Sequence, residues 1–103
     1  MPGGFQGGGS GRSGSDPVLA RILSTIELNK LYPYAARRAG LSGRVLVRFF
    51  IDEKGAPVEV ELLRSSGVPI LDEEAVATIR RGSYPRFGGP LPVWIRFELK
   101  ERS

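Results

Sequence analysis

The sequence predicts an α+β fold of two layers, a three-stranded antiparallel or mixed sheet in the order second, first, third, with helices on one face. Three observations predict it. Apolar residues recur at helical spacing in two separate stretches, whereas in three others they alternate with a period of two. The elements follow one another as helix, short helix, strand, strand, helix, strand. A tight turn joins the first two strands, which makes them an antiparallel hairpin. A helix then carries the chain back across the sheet, so the third strand runs parallel to the second and lies antiparallel beside the first.

Residues 1–15, "MPGGFQGGGSGRSGS", are mostly Gly and Ser. They bring too little apolar surface to offset the entropy of ordering and read as a flexible linker or tag, leaving 16–103 as the domain. Asp16 and Pro17 read as the cap and first position of a helix, in which Val18, Leu19, Ile22, Leu23 and Ile26 share a face. That helix should fade near Leu31, because Pro33 biases Tyr32 away from helical geometry. Pro33 opens a second short helix through Ala35, Ala36 and Arg38, stopped by Gly40.

From Arg44 to Ile51, Val45, Val47, Phe49 and Ile51 face one way, and Arg44, Leu46, Arg48 and Phe50 the other. "DEKG" supplies a turn, and Val58, Val60 and Leu62 then alternate with Glu59, Glu61 and Leu63. Arg44 and Arg48 are expected across from Glu59 and Glu61, which would help to fix the register. The next helix has Asp72, Glu73 and Glu74 in its first turn and Arg80 and Arg81 in its last, with Leu71, Ala75, Val76 and Ile79 as its buried stripe. After the proline-rich "SYPRFGGPLP", Val93, Ile95, Phe97 and Leu99 point inward and Trp94, Arg96, Glu98 and Lys100 outward. The last strand then lies at an edge, with unpaired backbone groups and no proline inside it to block an added strand.

Composition narrows the chemistry. A chain of 103 residues buries only about 60 to 65% of the surface exposed when unfolded, so the core is thin. With no cysteine and no histidine it lacks thiolate ligands, the commonest metal ligand and the usual general base, which argues against most hydrolases and metalloenzymes. Asp72, Glu73 and Glu74 do not share a helix face and suit the helix dipole better than an acid/base pair. "SSG" at 65–67 lacks both a nucleophile elbow and a histidine partner. No enzyme activity and no cofactor are expected. No run of about 18 apolar residues exists to span a membrane, and the amino end lacks the apolar centre of a signal peptide. The net charge of +4 suits ordinary solubility as well as an anionic neighbour.

Tyr32-Pro33, the following "AARRAGLSGRVLVRFFIDEKG", "VEVELLRSSG" and "LDEEAVATIRR", and a closing alternating strand appear in one order. Over about residues 32–100 this combination resembles the C-terminal domain of the TonB family of periplasmic energy transducers. The resemblance implies a domain that does no chemistry. It implies a full protein anchored in the inner membrane beside ExbB and ExbD, with a linker crossing the periplasm. It also implies that the terminal domain grips the TonB box of outer-membrane TonB-dependent transporters, for uptake of siderophores, vitamin B12 or similar nutrients. The grip would be strand addition along Val93, Trp94, Ile95, Arg96, Phe97, Glu98 and Leu99, with a second contact at Asn29, Lys30, Leu31, Tyr32 and Pro33. The anchor and Pro-rich tether of the family are not in this sequence, which therefore reads as an excised soluble domain. A homodimer made by pairing two edge strands is a further expectation, and the helix from Asp16 to Lys30 could cover the edge strand or the outer sheet face and so compete with a partner.

Two other readings use the same residues. A protein-interaction domain of another envelope machine, TolA-like or belonging to envelope sensing or gliding motility, would share the scaffold. A nucleic-acid module would use Phe50 and Trp94 among Arg44, Arg48 and Arg96. Against it, there is no RNP motif, and Glu59, Glu61 and Glu98 share that face, so no nucleic acid is expected.

Overall fold

The computed structural model describes residues 16–99. The expected linker at 1–15 and the end of the expected last strand at Lys100 lie outside them. Helix α1 (Pro17–Asn29) begins at Asp16, whose carboxylate accepts the N–H groups of Val18 at 3.0 Å and Leu19 at 3.1 Å. Pro17 takes the next position, where its missing N–H costs nothing. Ile22 and Ile26 are buried, but Leu23, expected beside them, is 43% exposed. Helix α2 (Tyr34–Arg38) follows Pro33 and gives way at Gly40, which has a φ of 70°.

Strand β1 (Gly43–Ile51) is the central strand, with Val45, Val47 and Phe49 fully buried. Asp52 closes the turn after it by accepting the N–H groups of Lys54 and Ala56, each at 2.9 Å. Strand β2 (Pro57–Arg64) pairs antiparallel with β1 but does not keep the expected alternation. Its register shifts twice, opposite the Leu46–Val47 step and opposite the Arg48–Phe50 stretch, and Glu59 takes a φ of 51°. Each shift resets which side chains face inward. Leu62, expected inward, is 41% exposed, and Leu63 is 39% exposed.

Helix α3 (Pro69–Arg81) starts earlier than its acidic triplet implies, and only Asp72 of the three lies in the first turn. The Asp72 carboxylate accepts the Ser66 N–H at 2.8 Å, the Ser66 hydroxyl at 2.7 Å and the Ser65 hydroxyl, tying the exit of β2 to α3. Burial raises its pKa, but those hydrogen bonds together outweigh burial and hold it below the usual carboxylate value. The buried stripe is Leu71, Ala75, Thr78 and Ile79. Thr78 replaces the expected Val76 there because its hydroxyl donates to the Glu74 carbonyl at 2.8 Å, which satisfies the polar group inside the core.

Strand β3 (Leu91–Phe97) pairs antiparallel with β1 from Gly43–Phe97 to Phe49–Leu91, so the sheet order is β2-β1-β3, as the sequence predicts. Leu91, Val93, Ile95 and Phe97 complete the core with α1, α3 and β1. The connection from α3 is held by Tyr84. Its N–H donates to the Gly55 carbonyl at 2.9 Å, its hydroxyl to the Ile79 carbonyl at 2.8 Å, and its ring lies 5.3 Å from that of Phe49. Burial pushes the Tyr84 phenol up to about 12.

Candidate functional site

Among the described residues strand β3 has a strand neighbour on one side only, and its side chains alternate strictly between buried and exposed. In an antiparallel pair, alternate residues direct their N–H and C=O groups toward the neighbour and the others turn theirs away. Pro92 has no N–H, and the Arg96 carbonyl accepts from Lys30 Nζ at 2.5 Å. Both facts assign Pro92, Trp94 and Arg96 to the set turned away from β1. The expectation of a proline-free last strand is thereby corrected, since β3 contains Pro92. The proline is tolerated because the position where it lacks a donor faces the open edge.

Of the residues expected to receive a partner strand, Val93, Trp94, Ile95, Arg96 and Phe97 lie in β3. Val93, Ile95 and Phe97 bury their side chains. Trp94 is 49% exposed, and the Arg44 guanidinium lies 4.7 Å above its ring. Glu98 and Leu99 fall beyond the strand, because its pairing with β1 ends at Gly43–Phe97. Glu98 forms an exposed ion pair with Arg96 at 3.6 Å. The expected cross-strand charges form only in part. Arg48 pairs with Glu61, whereas Arg44 stands opposite Arg96 in the register and rests on Trp94 instead of meeting a glutamate.

The second expected cluster is also brought to β3. Arg81 donates to the Asn29 carbonyl at 3.1 Å, and the Leu31 N–H donates to Glu74 at 3.3 Å. Glu74 and Arg81 pair with each other. Tyr32 meets the Phe97 ring edge-on, with centroids 5.6 Å apart, and its hydroxyl donates to the Leu41 carbonyl. Burial raises the Tyr32 phenol, with Arg37 opposing. Pro33 then sets the start of α2. Lys30 bridges the two clusters: its ammonium bonds the Arg96 carbonyl and Glu27 at 3.2 Å, and lies 5.8 Å from the Phe97 ring centroid. A cleft of about 300 Å³ opens between α1 and β3, lined by Leu23, Ile26, Glu27, Trp94 and Arg96.

Sequence reasoning missed Glu27, Glu74 and Arg81. The signal for the last two was present, since Glu74, Thr78 and Arg81 recur at spacings of four and three on one helix face. Among the described residues no group of three or more His, Cys, Asp or Glu could hold a metal ion, and no helix is long and apolar enough to cross a membrane. The arrangement offers a backbone edge with flanking side chains, which suits recognition of an extended chain.

Comparison with known proteins adds four findings. A family model described as the Gram-negative bacterial TonB protein C-terminal matches residues 29–100. Protein TonB of Vibrio cholerae serotype O1 is 30% identical over 91 residues, covering 85% of this chain and 37% of that protein, so the chain spans little more than a third of that relative. The solution structure of the Helicobacter pylori TonB C-terminal domain, residues 194–285, superposes with a TM-score of 0.70 at 28% identity, covering 85% of this chain and all of that one. TolAIII, solved bound to a peptide derived from the N-terminus of TolB, is similar in fold, with a TM-score of 0.65 at 22% identity over 93% of this chain and 83% of that one.

Proposed function

Because the chain belongs to the family of C-terminal domains of Gram-negative bacterial TonB proteins, we propose that it is the partner-gripping end of a TonB-type energy transducer. It works in the periplasm and takes hold of the TonB box of an outer-membrane transporter. The observation that carries this reading is the one-sided pairing of β3, which among the described residues leaves the outward backbone groups of Trp94 and Arg96 without a strand partner. An extended peptide laid beside β3 continues the sheet. Main-chain hydrogen bonds then supply affinity that depends little on sequence, and Trp94, Arg96 and Glu98 select among partners. The contacts of Asn29, Leu31 and Tyr32 with α3 and Phe97 join the entry of the chain directly to the gripping strand. A pull arriving at α1 therefore reaches β3 through Tyr32 and the buried ring of Phe97. In the whole protein that pull would come from an inner-membrane assembly of the ExbB and ExbD kind and would serve uptake of a siderophore, a cobalamin or a similar nutrient.

The test is an NMR titration of the chain with amino-terminal peptides from the outer-membrane transporters of its own source. Amide shifts are expected to concentrate from Val93 to Leu99. Shifts confined to the centre of β1 or to residues 72–81 of α3 would rule out strand addition at this edge.

A further inference from the structure

Lys30 presents an unusual set of contacts. A lysine at the carboxyl end of a helix commonly caps its own last carbonyls. Lys30, the residue after α1, has extended geometry, with φ −73° and ψ 129°, and sends its side chain across to another element. Two of its three partners, the Arg96 carbonyl and the face of Phe97, belong to β3, and the third, the Glu27 carboxylate, lies one turn back on α1. Its side chain is 20% exposed, although it belongs to one of the most mobile and soluble residue types. The Arg96 carbonyl is one of the outward-facing acceptors of β3, and a strand added at this edge has to bond it.

We propose that Lys30 guards the β3 edge: its ammonium occupies the Arg96 carbonyl that an incoming strand must take, and so lowers the affinity of the chain for any added strand, a second copy of itself included. This rests on the reading of β3 as a docking edge and gives Lys30 a sign opposite to that of a partner contact. Lysine on an exposed edge commonly discourages pairing by the charge that it carries. Here the same residue type also fills the hydrogen-bonding site.

The experiment compares the unaltered chain with Lys30→Met, which keeps the aliphatic stem and removes the donor, and Lys30→Arg, which restores one. Self-association is read by sedimentation equilibrium without any peptide, and affinity by titration with the transporter peptides used above. Lys30→Met is expected to tighten self-association, peptide binding or both by about tenfold, the effect of freeing one charge-assisted hydrogen bond, with Lys30→Arg close to the unaltered chain. If peptides bind the unaltered chain and Lys30→Met changes neither readout, or weakens binding, the guard is overturned while the docking edge stands. If no peptide binds any variant but Lys30→Met self-associates more tightly, the transporter-peptide reading falls while β3 still accepts a strand and the guard survives. A measurement that needs no substitution covers a variant that folds poorly. The Lys30 ammonium ¹⁵N signal of the unaltered chain should be slow in exchange with water and be lost when a peptide or second copy binds; its persistence in such a complex overturns the proposal.

Discussion

At the scale of single residues, the strictest demand falls on Gly55. It sits in the β1–β2 turn with a φ of 85°, and a Cβ placed there would lie 2.6 Å from the Tyr84 carbonyl oxygen. Its own carbonyl accepts the Tyr84 N–H, so the turn and the loop before β3 meet backbone to backbone. Gly55→Ala combines a left-handed backbone with a contact that no rotamer relieves, and should cost about 2 kcal/mol. Urea unfolding measures it; a loss under about 0.5 kcal/mol would show that the loop yields. Gly55 was legible as a turn glycine, since "DEKG" between two alternating runs has a mechanism. Its second role was not, because nothing local to positions 52–55 reports that Tyr84 lies against them. The same holds for Gly82, where a Cβ would run into the Tyr84 hydroxyl. Lys30 shows the limit most plainly: its place in a site could be anticipated from the segment it belongs to, but the carbonyl that it holds belongs to a residue 66 positions away.

At the scale of elements, what a segment does alone was legible and what its neighbour imposes was not. Helix α1 announces itself through Asp16, Pro17 and apolar spacing. It should respond to Asp16→Ala with a loss of about 1 kcal/mol, since two N–H groups in its first turn lose their acceptor. Amide exchange is the check: residues 18–20 should exchange faster, whereas local protection at Val45 to Phe49 should stay. Faster local exchange in β1 as well would mean that α1 and the sheet open as one unit. Strand β2 reads in the sequence as alternation from Val58 to Leu62, yet among the described residues it is held from one side only and accommodates two irregularities. Alternation also suggests that β3 continues past Phe97 to Lys100. It stops at Phe97 because β1 offers no residue beyond Gly43 to pair with. The candidate site divides in the same way: Val93 to Phe97 lie along the edge, and Glu98 and Leu99 follow it as loop.

At the scale of the whole molecule, the connections that close the fold are made by two titratable groups, Asp72 between β2 and α3, and Tyr84 between α3 and β3. The chain has no histidine and no cysteine, so no side chain with an ordinary pKa titrates in the middle of the pH range. Stability should therefore form a plateau bounded by those two groups. The Asp72 pKa is lower in the folded chain than its unfolded value of about 3.9. The folded state thus binds fewer protons there, and the contribution of Asp72 is complete above that value and lost as pH falls toward the folded pKa. Tyr84 runs the other way. Its folded pKa of about 12 exceeds the unfolded value of about 10, so its contribution is complete below pH 10 and lost as pH rises toward 12. Tyr32, also raised by burial, adds to the same alkaline limb. Urea unfolding at a series of pH values should show Asp72→Asn flattening the acid limb and Tyr84→Phe flattening most of the alkaline one. Both variants should lower the plateau, because the Ser65 and Ser66 donors and the Ile79 carbonyl lose partners. If the alkaline limb of Tyr84→Phe keeps the shape of the unaltered chain, the phenol is not what closes the fold at high pH, and the loop between α3 and β3 must be held by its backbone bond to Gly55 instead.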